Sequence, residues 1–80
     1  MAGEGFTALL GKQVLVFCLN YIYTGMLEGD NDTFIKLTNP KVVYATGAYD
    51  KTSFEDAQKL PNDLYIQKSA VESFHETNKL

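Results

Sequence analysis

The sequence holds no arginine, no tryptophan, one cysteine and one histidine in 80 residues. With Cys18 alone, neither an internal disulfide nor a cysteine-based metal cluster can form, which suits a reducing compartment. With His75 alone, in a polar stretch near the C-terminus, a Ser-His-Asp set or a histidine metal site has no material to work with. No phosphate-cradling glycine loop or paired-carboxylate constellation replaces them, so no cofactor is expected and the chain reads as a non-enzyme. The missing arginines and a formal charge of −3, from seven Lys and ten Asp or Glu, exclude a wide basic face for gripping nucleic-acid backbone. Long apolar runs are missing too. The longest, Val14 to Leu19, is far too short to span a bilayer, and the first residues lack the basic and apolar regions of a signal peptide. No membrane association and a cytoplasmic location are expected.

Size sets the next constraint. A chain of 80 residues makes one domain, here 1–80, and buries only about 60 to 65 % of its unfolded surface. Without disulfide or metal staples, self-association is the remaining aid to stability.

What is present is strand pattern. Phe6, Leu9 and Leu10 at helical spacing, with Gly11 as a stop, predict a helix over about 4–10. "QVLVFCLN" predicts a strand over about 13–19, buried on both faces or at an interface, in which Cys18 acts as a small hydrophobe. "YIYTGMLEG" alternates with period two and predicts a strand over about 21–29. Gly25 interrupts it, and a glycine inside a strand marks a bend, a bulge or a close backbone approach. "DND" at 30–32 has the Asx chemistry of a turn. A third strand follows over about 33–46, with Pro40 confined to a bulge or an edge position. Residues 47–62 read as a long variable loop, in which "SFEDAQKL" can form a helical turn capped by Ser53. Two short strands over about 63–68 and 70–74 precede a polar tail at 75–80 expected to fray. The fold class is therefore mostly β: a short N-terminal helix and five bent antiparallel strands that close most economically as a small, SH3-type barrel.

Helix then five strands resembles the Sm-like family. "VLVFCLNYIYTGMLEGDNDTFIKL" is similar to its first motif, with Gly25 and Leu27 in the glycine-x-leucine and Asp30, Asn31 and Asp32 at the acidic turn. "YIQKSAVESF" falls at the second motif, and its Lys68, Ala70, Val71 and Ser73 match the bacterial RNA-chaperone branch. The resemblance covers residues 4–74. It implies a closed homo-oligomeric ring, built by pairing the fourth strand of one copy with the fifth of the next, and single-stranded RNA bound at the pore. The departures are specific. The turn is about one residue shorter than in the eukaryotic and archaeal branch, Thr33 or Phe34 falls at its Asn, Gln67 and Lys68 replace its Arg and Gly, and Ser69 stands at the bacterial histidine.

The RNA-binding candidates are Asn31, Asp32, Phe34, Gln67 and Lys68. Phe34 offers a stacking face or is an ordinary packed residue. Asn31 and Gln67 carry donors and acceptors for base edges. Lys68 is a pore cation or a solvated turn charge, and Asp30 and Asp32 are turn formers or site groups. Gly25 and Leu27 are structural. Tyr21, Tyr23, Tyr44, Tyr49 and Tyr65, with no basic patch among them, read as barrel and subunit-contact residues. The alternative function is a structural or protein-binding ring that makes no RNA contacts, for which the acidic balance speaks.

Overall fold

The computed structural model describes residues 5–45, 47, 54 and 56–78. A single helical turn, α1 (Gly5–Ala8), precedes six strands: β1 (Gln13–Cys18), β2 (Ile22–Asp30), β3 (Phe34–Ala45), β4 (Asp56–Lys59), β5 (Leu64–Gln67) and β6 (Val71–Glu76). A 3-10 turn over Lys68–Ala70 separates the last two. All pairings are antiparallel, in the order β4-β3-β2-β1-β6, with β5 also on β3. The sheet is open. Its margins are β6 on one side and β4 with β5 on the other, so the expected closed five-stranded barrel is replaced by a bent six-stranded sheet.

The helix is shorter than the apolar spacing suggests. Leu9 and Leu10 donate to Phe6 and Thr7 carbonyls in a tightening turn, and Gly11, at φ 81, turns the chain so that its N–H reaches Leu27 O at 2.7 Å. Four residues cannot sustain a helix in water. What holds them is Phe6, buried and stacked on Phe74 with ring centroids 3.8 Å apart.

β1 is sealed on both faces: Val14, Leu15 and Val16 are all 0 % exposed. Val14 and Val16 join Phe6, Leu27, Ile35, Leu37 and Ile66 in the main core. Each such side chain contributes about 1.5 to 3 kcal/mol when fully buried. One polar side chain, Thr24, is buried among the described residues, and its hydroxyl donates to Val14 O at 2.7 Å.

The interruption at Gly25 has a direct cause. Thr24 pairs with Lys41 and Met26 with Thr38, so Asn39 and Pro40 together oppose Gly25 in a β-bulge. Asn39 takes φ 48, and Pro40, completely buried, loses nothing by lacking an N–H there. A Cβ on residue 25 would lie 3.0 Å from Thr38 O and 3.3 Å from Pro40 Cα. The glycine is what lets the bulged strand come this close. A second irregularity, with Glu28 as the extra residue, shifts the register back on the other strand.

Two further expectations are corrected. Asp56–Lys59, within the expected loop 47–62, is a strand rather than part of a helical turn, because its backbone pairs with Lys41 to Ala45 of β3; Ser53, the expected cap, lies outside the described residues. His75 and Glu76 belong to β6 and not to a frayed tail, and Thr77 N donates to Gln13 O at 2.9 Å. β4 and β5 run along the same edge of β3, interrupted opposite the Asn39–Pro40 bulge, where Leu60 N meets Pro40 O at 2.9 Å.

Candidate nucleic-acid interface

The turn between β2 and β3 is built by Asn31. Its Oδ1 accepts from Thr33 N at 2.8 Å and Phe34 N at 2.9 Å, and its own N–H donates to Phe34 O at 3.1 Å. This is the Asx chemistry expected of the residue type. It occupies the amide oxygen and leaves Nδ2 as the part of Asn31 that the turn does not use. Asp32 is exposed at the tip.

The turn meets the β5–β6 junction. Lys68 N donates to Thr33 O at 2.8 Å, and Phe34 and Gln67 are register partners. Ile35 and Ile66 enter the core, so alternation places Phe34 and Gln67 on the outer face. Tyr65 and Lys36 share that face: the Phe34 ring meets the Tyr65 ring edge-on, centroids 5.4 Å apart at 85°, and Lys36 Nζ lies 5.9 Å from the Tyr65 centroid. Lys36 also pairs with Asp63 at 3.6 Å. Sequence reasoning missed Lys36 and Tyr65 as members of this platform. Only the period-two pattern placing Phe34 and Lys36 on one face hinted at them; the β3–β5 register supplies the rest.

Lys68 is drawn away from that face. Its Nζ sits 2.6 Å from Asp30 Oδ1 and 5.6 Å from the Phe6 ring centroid, on the helix side of the junction. That carboxylate oxygen is sealed from solvent and faces the ammonium; Oδ2 accepts from Thr7 Oγ1 at 3.2 Å. The five candidates thus divide. The half-buried Phe34 and the exposed Gln67 form a stacking and hydrogen-bonding pair, Asn31 and Asp32 form the adjacent turn, and Lys68 is spent on Asp30.

Beside the platform, between β5 and the β1–β2 corner, lies a groove of about 290 Å³ lined by Cys18, Leu19, Tyr21, Tyr23, Tyr65 and Gln67, among others. That is close to the lower limit of small-molecule pockets, about 300 Å³. Burial pushes the Cys18 thiol above its ordinary pKa, and Tyr23 is raised by burial, then by Cys18 and Tyr21. Both groups are therefore neutral near pH 7, and the groove wall is uncharged there. Tyr65 and Tyr21, 59 % and 55 % exposed, present ring faces and hydroxyls at its rim.

Among the described residues no three His, Cys, Asp or Glu side chains lie together to hold a metal ion. No helix among them is long and apolar enough to cross a membrane. No protein-family model matches the chain, and no curated protein matches it either.

Proposed function

We propose that the chain is a subunit of an Sm-like homo-oligomeric ring that binds single-stranded RNA near the pore, through bases more than through phosphates. The observation that carries this reading is the meeting of the β2–β3 turn with the β5–β6 junction, which sets the half-buried Phe34 ring beside the exposed Gln67 amide and Tyr65 ring on the outer face. A base stacks on such a ring with about 1 to 3 kcal/mol, while the amide serves its edge. The ring is supported by the margins of the sheet. Among the described residues β5 and β6 each leave one edge without a neighbouring strand, and pairing β5 of one copy with β6 of the next covers both and closes head to tail. Repetition around the ring then turns a weak site into useful avidity.

The test is fluorescence anisotropy of labelled oligo-U, oligo-A and mixed-sequence RNA at two salt concentrations. Saturable binding with a base preference and a shallow salt slope is expected. Phe34→Ala should weaken it about 5- to 150-fold, the equivalent of 1 to 3 kcal/mol, and Gln67→Ala should relax the base preference. Absence of binding at low salt, or an unchanged affinity for Phe34→Ala in an intact assembly, overturns the proposal.

A second reading, a structural or protein-binding ring without RNA, is favoured by one observation. Asp30 neutralises Lys68, and a subunit of charge −3 repels polyanions at long range. Failure of the RNA titration would establish it as the better account, and protein partners would then be sought by pull-down.

A further inference from the structure

Five lysines lie among the described residues, and three of them are paired: Lys12 with Glu76, Lys36 with Asp63 and Lys68 with Asp30. The other two, Lys41 on β3 and Lys59 on β4, have no carboxylate partner there and stand directly opposite each other in the ladder. Opposite residues of an antiparallel pair project from the same face, with Cβ atoms about 4.5 to 5.5 Å apart. Leu60 N donates to Pro40 O, which makes the neighbouring pair the hydrogen-bonded one; by alternation Lys41 and Lys59 form a non-hydrogen-bonded pair, the kind with closer side chains. Like charges so placed are destabilising. A chain with more acids than bases nevertheless sets two cations together.

A recess opens where they meet. It measures about 140 Å³ and is lined by Asn39, Pro40, Lys41, Lys59 and Leu60. At about 30 Å³ per water molecule, this is room for four or five waters, enough for one tetrahedral oxyanion and too little for a nucleoside. Asn39, at φ 48 in the bulge, also lines the recess and carries an amide side chain. An oxyanion would offset the repulsion of the two ammonium groups and accept from the amide.

We propose that Lys41, Lys59 and Asn39 form a binding site for a single phosphate group, either free or carried by a nucleoside monophosphate. The site lies away from the Phe34 platform, so the proposal stands or falls independently of RNA binding. The experiment is a titration of the ¹⁵N-labelled protein with inorganic phosphate, and separately with adenosine monophosphate and adenosine, against sodium chloride at matched ionic strength. Saturable shifts centred on Asn39, Lys41, Lys59 and Leu60 are expected, absent with chloride and adenosine. They should weaken at least tenfold in Lys41→Gln and in Lys59→Gln. Lys59→Glu, which gives Lys41 an opposite charge, should raise Tm and abolish the response. A phosphate response at least as tight as that to the monophosphate assigns a free anion; a monophosphate response tenfold tighter assigns a nucleotide-borne group. Shifts no larger than those in chloride, or glutamine variants that respond like the parent protein, overturn the proposal.

Discussion

Asp30 and Lys68 show how one residue pair can carry more than its charges suggest. The two side chains are 13 % and 33 % exposed, and the carboxylate oxygen that faces the ammonium is sealed from solvent. Through them the helix, by way of Thr7 and Phe6, the β2–β3 turn and the β5–β6 junction are tied at one point. Removing the cation alone therefore leaves a desolvated carboxylate. Lys68→Met should cost about 1 to 3 kcal/mol in urea unfolding, and Asp30→Asn added to it should recover part of the loss. A Lys68→Met protein as stable as its parent would mean that the contact carries nothing. Sequence alone presented Lys68 as a pore cation or a solvated charge, because nothing in a string of letters tells which of ten acids a lysine will meet. Asn31 was legible for the opposite reason: its partners, Thr33 and Phe34, are its chain neighbours, and Asx chemistry is local.

At the level of strands, the bulge opposite Gly25 is the feature that places everything after it. Gly25→Ala puts a methyl group 3.0 Å from Thr38 O and 3.1 Å from Leu37 Cβ. The neighbour at Thr38 is backbone and cannot swing aside. Overpacking of this kind costs about 1 to 3 kcal/mol, offset by about 0.4 to 1 kcal/mol from the stiffer unfolded chain. A net loss of stability is expected in thermal unfolding, with the Asn39, Pro40 and Leu60 signals shifted in an NMR spectrum; a stabilised variant would show that the close approach is not tight. Both Gly25 and Pro40 announced an irregularity in the sequence, since each is a poor strand residue for its own physical reason. β4 announced nothing. Asp56, Ala57, Gln58 and Lys59 lack alternation and β-branched residues, and they become a strand only because the β3 edge offers hydrogen bonds that their side chains do not advertise.

For the molecule as a whole, the open margins at β5 and β6 are the feature with the widest reach. Free edges on a chain of this size invite self-pairing, and native mass spectrometry at micromolar concentration should show a closed oligomer; a monomer alone would remove the ring. The mostly β class, the single short helix and the succession of long strands were readable because apolar periodicity is a local signal. The open outline of the sheet was not, because closure depends on how far each strand bends. One pairing has a consequence in time as well as in space. β1 is flanked by β2 and by β6, the last strand of the sheet, with Gln13 O accepting from Thr77 N. On a ribosome adding about 5 to 20 residues per second, the most apolar segment of the protein therefore emerges early and waits several seconds for the partner that covers its second edge. The sheet is completed only once β6 has followed β1 out of the ribosome, and β1 is left to the care of the cell in the interval.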